Sequence, residues 1–357
     1  MKEVAIIGTQ GVPAKYGGFE TLVENLLGIN CPDNIHYTVF CSSSDYKNKI
    51  QTYKEATLKY IPLHANGYQS ILYDTVSMIR CIGKYDTLLI LGVSGCIFLP
   101  ILRLFYPKKI IVNIDGLEHR RNKWGKYTKK FLKLSEKIAI KYADIIITDN
   151  KGIQDYAKKE YRIDSEMIAY GGDHVLCDIS DKETSNILNS YKLTKDEYSF
   201  SVCRIEPENN VHLILSAFEQ SNKPLVFVGN WMANEYGKKL YEKYKNSTNI
   251  KLLSPIYDLK ILNVFRSNCC FYLHGHSAGG TNPSLVEAMF FGKPILAFNV
   301  IYNKETTEYK ANYFSNEAEL IALLSKSSFD NNAKAMIEIA QRRYTWDTIA
   351  KAYTNLY

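Results

Sequence analysis

Both halves of the chain repeat one pattern, in which short runs of β-branched and aliphatic residues alternate with stretches of helical period. Nothing else in the sequence restricts the fold as strongly. Strand, helix and strand in succession lay the strands side by side and parallel, with helices over both faces of the sheet. In the first half the strands read "EVAIIG", "HYTVF", "LKYIPL", "DTLLIL", "KIIVNI", "DIIIT" and "MIAY", with helices over 19–28 and 70–81 among others. In the second half they read "YSFSVC", "PLVFVG", "NIKLL", "CCFYLH" and "PILAF", and the intervening helices begin near Asn210, Glu235, Asp258 and Pro283. The expected architecture is α/β, two doubly wound Rossmann-like domains facing a cleft.

At 357 residues the chain exceeds the usual size of one core. The stretch 176–197 is polar and lacks a strand, so it reads as the linker between a first domain, 1–178, and a second, 179–342. The final residues, 343–357, form an amphipathic helix with Trp346, Ile349, Ala350 and Tyr353 on one face, expected to pack back on the first domain.

Apolar content of 46% and charged content of 23% are those of an ordinary globular protein. The cysteines (31, 41, 81, 96, 177, 203, 269 and 270) are scattered without CxxC spacing, which points to buried thiols in a reducing, cytoplasmic setting. The N-terminal "MKEVAIIGTQG" enters a strand directly, without a charged-then-apolar leader. The apolar run 88–105 approaches membrane-span length, but Gly92, Gly95, Pro100 and Arg103 interrupt it. It reads as a buried strand, a glycine turn and a buried helix.

The net charge of +7 is concentrated. Segment 120–141, "RRNKWGKYTKKFLKLSEKIAIK", holds nine Lys or Arg against one Glu, with Trp124, Tyr127, Phe131 and Leu134 interleaved. Such a stretch suits an anionic membrane surface, and equally a solvated helix face whose apolar side packs on a sheet. No nucleic-acid partner is expected.

Three loops carry candidate chemistry. After the first strand, "GTQGVPAKYGGFE" lacks a dinucleotide fingerprint, but Gly17 and Gly18 stand before a helix, where backbone amides can meet an anion or sugar. The alternative is a plain turn. Arg204 follows the first strand of the second half, at the carboxyl end where an open sheet binds ligands. Its guanidinium can grip phosphate oxygens or pair with Glu206 or Glu208. In "HGHSAGGTNPSLVEAMFFGKP", the amides of Gly279, Gly280, Thr281 and Asn282 surround a helix start with Pro283 in its first turn. Glu287, about one turn in, can accept hydrogen bonds from a ribose diol, or be a helix-dipole or surface glutamate. His274 and His276 lack a third ligand at metal spacing, which leaves sugar contact or strand-end packing.

Over both halves these residues resemble the retaining, nucleotide-sugar-dependent glycosyltransferases with the GT-B fold, of the glycogen-synthase-like and mannosyltransferase-like branch. The matching stretches are Gly17 and Gly18, "IAYGGDHV", Arg204 and "GGTNPSLVEAMFFGKPILA". More narrowly, "GTQGVPAKYGGFETLVENL", "NIDGLEHRRNKW" and "CRIEPENNVHLILSAF" resemble bacterial rhamnosyltransferases of capsule and cell-wall polysaccharide assembly.

The resemblance implies a metal-independent transferase without a cofactor, moving a sugar from a nucleotide diphosphate to a polyprenyl-diphosphate-linked saccharide at the inner face of the plasma membrane. The donor would be dTDP-L-rhamnose, with a UDP-hexose as alternative; a nucleotide-sugar epimerase and a donor-binding pseudoenzyme are the rivals. It places the donor near Gly17, Gly18, Arg204, Asn209, Tyr257, His276, the loop 279–282 and Glu287, with Arg204 also at the leaving group. Asp115 and His119 in "NIDGLEH" become the side chains nearest the acceptor, although Asp115 can equally cap the following turn. Two departures stand out: the broad family has a glutamate where this chain has Gly279, and a lysine where it has Asn209.

Overall fold

The computed structural model describes residues 1–15, 17–29, 34–121, 124–326 and 332–357. Cys31, and Asn122 and Lys123 of the basic segment, lie outside the described residues. The chain forms two compact units, Met1–Tyr170 with Trp346–Tyr357, and Gly171–Thr345. The change of unit therefore precedes 176–197. That stretch is no plain linker: it contains the helix Asp181–Ser190, started by Ser180, whose hydroxyl accepts from the Glu183 N–H. Ser180 and Glu183 stand in capping-box spacing, so the polar composition there marks a helix start.

The first unit holds strands β1 (Lys2–Ile7), β2 (Ile35–Ser42), β3 (Thr52–Tyr53), β4 (Ala56–Ile61), β5 (Thr87–Leu91), β6 (Lys109–Asn113), β7 (Ile145–Thr148) and β8 (Glu166–Met167). Their order is β3-β4-β2-β1-β5-β6-β7-β8, parallel except for β3 against β4. Continuous Val, Ile and Leu runs are what a sheet covered on both faces demands, and β5 is buried throughout. The terminal helix Trp346–Thr354 joins this core through Trp346, Ile349, Ala350 and Tyr353, packing with Leu22, Val23 and Leu26 of the helix Gly18–Leu26.

The run 88–105 departs from expectation at its end. After β5 come a short 3-10 turn, Cys96–Phe98, and one helical turn, Leu99–Leu102, beyond which Leu104 and Phe105 are exposed. Pro100 starts that turn, and Arg103 holds its end by donating to the Tyr142 carbonyl and pairing with Asp144 at 2.7 Å. Among the described residues no helix is long and apolar enough to cross a membrane.

The second unit holds β9 (Ser199–Val202), β10 (Leu225–Val228), β11 (Ile250–Leu253), β12 (Phe271–His274), β13 (Ile295–Phe298) and β14 (Asn312–Phe314), in the order β11-β10-β9-β12-β13-β14 and parallel throughout. The three-residue edge strand β14 is too short to announce itself in the sequence. The strand order reverses between β9 and β12, which makes the crevice beyond their carboxyl ends the place where such a sheet takes a ligand.

Candidate functional site

The loop after β9 and the loop after β12 meet at that reversal. Asn210 Nδ2 donates to the Gly275 carbonyl at 2.8 Å, and the Ser277 hydroxyl and N–H both donate to the Glu208 carbonyl. Asn209, expected at the donor, is buried within this stitching. Its Nδ2 donates to the Arg204 carbonyl and its Oδ1 faces His276 Nδ1, each at 2.6 Å. This asparagine fixes the two loops to each other.

Arg204 itself is exposed, and among the described residues its guanidinium has no ion pair or hydrogen bond, with Glu206, Glu208 or any other group. A cation free at the carboxyl end of β9 is available to a phosphate. After the neighbouring strand β12, the helix Pro283–Met289 is capped by Asn282, whose Oδ1 accepts from the Ser284 N–H and hydroxyl at 3.0 and 2.7 Å. Thr281 and Gly280 are buried under the turn. Gly279 has φ 114°, and a Cβ there would lie 3.1 Å from His276 Nε2. The loop is thus built for glycine, and the missing family glutamate is a change of backbone as well as of charge.

Glu287 is neither a surface glutamate nor a free acceptor. Its Oε2 takes a hydrogen bond from Arg266, and its Oε1 lies 3.7 Å from His174 Nε2. Arg266 is 3% exposed and Glu287 16%, so this is a largely buried pair. Burial lowers the His174 imidazole below its usual range, partly offset by the Glu287 carboxylate. Arg266 and His174 were missed from the sequence. His274 is packed at the end of β12, its imidazole held well below the usual range by burial and then by His276. Tyr257 stands 68% exposed between β11 and the helix Leu259–Asn268.

In the first unit, Gly17 begins the helix Gly18–Leu26 with φ 119°, and a Cβ there would strike Glu20 Oε2. Glu20, at the third helical position, reaches back: its Oε1 accepts from the Thr9 hydroxyl at 3.0 Å and the Gln10 N–H at 2.8 Å. Burial raises its carboxyl in spite of those bonds. Gly17 with glutamate three residues on is half a capping box, a signal the sequence offered for Glu20. Gly18 lies against Tyr170, where a Cβ would stand in ordinary contact, 3.6 Å from the ring.

Asp115 follows β6 in a left-handed conformation (φ 55°), and its N–H donates to Asn113 Oδ1 at 3.0 Å. His119 Nδ1 stands 2.9 Å from Oε2 of the buried Glu136. Burial alone would raise the Glu136 carboxyl; hydrogen bonds from His119, Tyr161 and Tyr156 outweigh it and hold it below the usual glutamate range. The tyrosine hydroxyls donate to Oε1 at 2.6 and 2.7 Å. The segment 120–141 becomes mainly the helix Lys126–Tyr142, which buries Leu132, Ser135, Glu136 and Ala139. Among the described residues no cluster of three or more His, Cys, Asp or Glu is placed to hold a metal ion.

Two doubly wound α/β sheets, the second with an unpaired arginine and a glycine turn at its switch point, give the chain the GT-B fold. Residues 183–342 match the family model "Glycosyl transferases group 1", and residues 1–173 match "Domain of unknown function (DUF1972)". The group 1 glycosyltransferase model thus covers most of the second unit. Among solved structures it is similar to sucrose-phosphate synthase from Thermosynechococcus elongatus, at 16% identity and a TM-score of 0.83 over 100% of this chain and 98% of that one. It is also similar to Anabaena Alr3699/HepE, solved with UDP-glucose, at 14% identity and a TM-score of 0.77 over 100% and 99%. The catalytic domain of starch synthase IV from Arabidopsis thaliana, bound to ADP and acarbose, aligns at 12% identity and a TM-score of 0.70 over 100% and 98%. No curated protein sequence matches the chain.

Proposed function

We propose that the chain is a glycosyltransferase that takes its sugar from a nucleotide diphosphate, with dTDP-L-rhamnose as donor, and passes it with retention to a polyprenyl-diphosphate-linked saccharide. The observation that carries the donor site is an unpaired Arg204 guanidinium after β9 and a glycine turn, 279–282, after the adjacent strand β12, at the switch point of the second sheet. Arg204 and the turn would meet the charge that develops on the departing diphosphate, where fixed donors contribute roughly 3 kcal/mol each. Glu287, oriented by Arg266, would accept from the ribose. His119, whose imidazole lies against Glu136, is the better placed of the acceptor-side pair to relay a proton. Asp115, in its left-handed turn, would orient the acceptor. No metal or cofactor enters this reading.

Rhamnose rests on the narrower resemblance together with the departures at Asn209 and Gly279. The UDP-glucose complex of the Anabaena protein favours a UDP-hexose as second reading. A thermal-shift panel of dTDP- and UDP-sugars separates them, because a ligand of the native state raises stability by mass action. The largest shift is expected with dTDP-L-rhamnose; shifts with UDP-hexoses alone would refute it.

Attachment to the inner membrane face is part of the same reading. Leu104, Phe105, Tyr127 and Leu134 are exposed, with Lys137 and Lys141 on the helix that carries Leu134. Apolar insertion plus surface lysines, at about 1 kcal/mol per charge, suffices for reversible binding. Leu104→Ser with Phe105→Ser should reduce co-sedimentation with phosphatidylglycerol vesicles, and unchanged co-sedimentation would remove this surface.

A further inference from the structure

Lys126, Lys129, Lys130 and Lys133 recur at i, i+3, i+4 and i+7 of the helix Lys126–Tyr142, so their ammonium groups share one face. With His119 and Trp124 they line an open pocket of about 500 Å³. The pocket walls are fixed. His119 is held by Glu136, and Trp124 Nε1 donates to Glu118 Oε2 at 2.9 Å. Trp124, which the sequence offered as a membrane-inserting residue, is instead part of that wall.

The charges are unevenly answered. Lys133 is met by Glu160 at 3.0 Å and Glu136 at 3.5 Å, and its ammonium lies over the rings of Tyr156 and Tyr161. Lys126, Lys129 and Lys130 have no side-chain partner among the described residues. Like charges one helical turn apart repel, so the stripe weakens its own helix unless an anion sits against it. Three uncompensated cations in a pocket larger than a single phosphate fit an oligophosphate with an organic substituent.

We infer that this pocket binds a diphosphate ester, gripped by Lys126, Lys129 and Lys130, with its organic part against Trp124. Resting on the proposed acceptor, the ester is the diphosphate that joins the saccharide to its lipid carrier, and the pocket sets that substrate beside His119. The same lysines then make a discrete site; the diffuse membrane contact lies elsewhere on the helix.

The test is calorimetric titration of the full chain, without vesicles, using geranyl diphosphate, geranyl monophosphate and inorganic diphosphate. Geranyl diphosphate is expected to bind at least tenfold more tightly than either other probe, and tenfold or more weakly to the Lys126→Gln, Lys129→Gln, Lys130→Gln triple variant. dTDP binding should be unchanged in that variant and weakened by Arg204→Ala, which keeps the donor site separately testable. Equal binding of inorganic diphosphate would point to a soluble ligand and overturn the carrier assignment. Equal binding by the triple variant, displacement of geranyl diphosphate by dTDP, or binding of the wild type to phosphatidylglycerol vesicles but not to geranyl diphosphate would overturn the site.

Discussion

Asn209 Oδ1 stands 2.6 Å from His276 Nδ1, joining residues 67 apart in the chain across the switch point of the second sheet. The same side chain donates to the Arg204 carbonyl, so one amide sets the position of both ligand-facing loops. Asn209→Ala should cost about 2 kcal/mol, near 1 kcal/mol for each lost hydrogen bond, in urea denaturation. Asn209→Lys, the family's residue, should cost more, because it buries an ammonium where the amide now sits. A lysine variant as stable as the wild type would show that the loops do not depend on this bridge.

Arg204 and Glu287 should respond differently to truncation. Arg204→Ala removes an exposed, unpaired side chain and should leave the melting temperature in place while weakening nucleotide-sugar binding roughly 10- to 100-fold. Glu287→Ala strands the buried Arg266 charge and should cost about 3 kcal/mol of stability besides any effect on the donor. Equal stability of the two variants would mean that the Arg266 pair contributes nothing to the fold.

Returning a glutamate to position 279 should not strengthen the site. At φ 114° an L side chain is strained by roughly 1–3 kcal/mol, and its Cβ crowds His276. Gly279→Glu is expected to lower both stability and donor affinity. An increase in turnover with a UDP-hexose would contradict this.

The two units should answer pH in opposite directions. Burial pushes the Asp74 carboxyl in the first unit up to about 8, against hydrogen bonds from Gly95 and Ser94. The folded state therefore holds a proton that the unfolded chain loses near pH 3.9, and this contribution fades as pH rises from about 4 towards 8. In the second unit His174 and His274 are lowered by burial, so the unfolded imidazoles take protons first. Their contribution is lost as pH falls below about 6.5, by up to about 1.4 kcal/mol per pH unit for each group. Asp74→Asn should flatten the alkaline slope in urea denaturation between pH 5 and 8. An unchanged slope would mean that Asp74 is ionised in the fold.

What the sequence made legible follows from locality. The strands were visible as apolar runs, and the helices at Val211, Glu235, Leu259 and Pro283 from their local starts. Gly17, Arg204 and the turn at 279–282 were visible because glycine and a charge at a strand end are local signals. The side chain of Asn209 was misjudged, and Arg266 was overlooked, because their partners come from other elements, 67 and 21 residues away. The pocket on the lysine face needed the folded positions of His119 and Trp124, although the spacing of its lysines was already on the page.

The terminal helix Trp346–Thr354 fills the core of the first unit, and the chain's last residues accept from its strands: Lys2 Nζ donates to the Tyr357 carbonyl and Lys109 Nζ to that of Leu356. A ribosome making this chain emits the first sheet well before the helix that closes it. The first sheet must wait, its apolar face uncovered, through synthesis of the whole second unit. A chain cut after Thr345 would therefore spare the second sheet and leave the first unfinished.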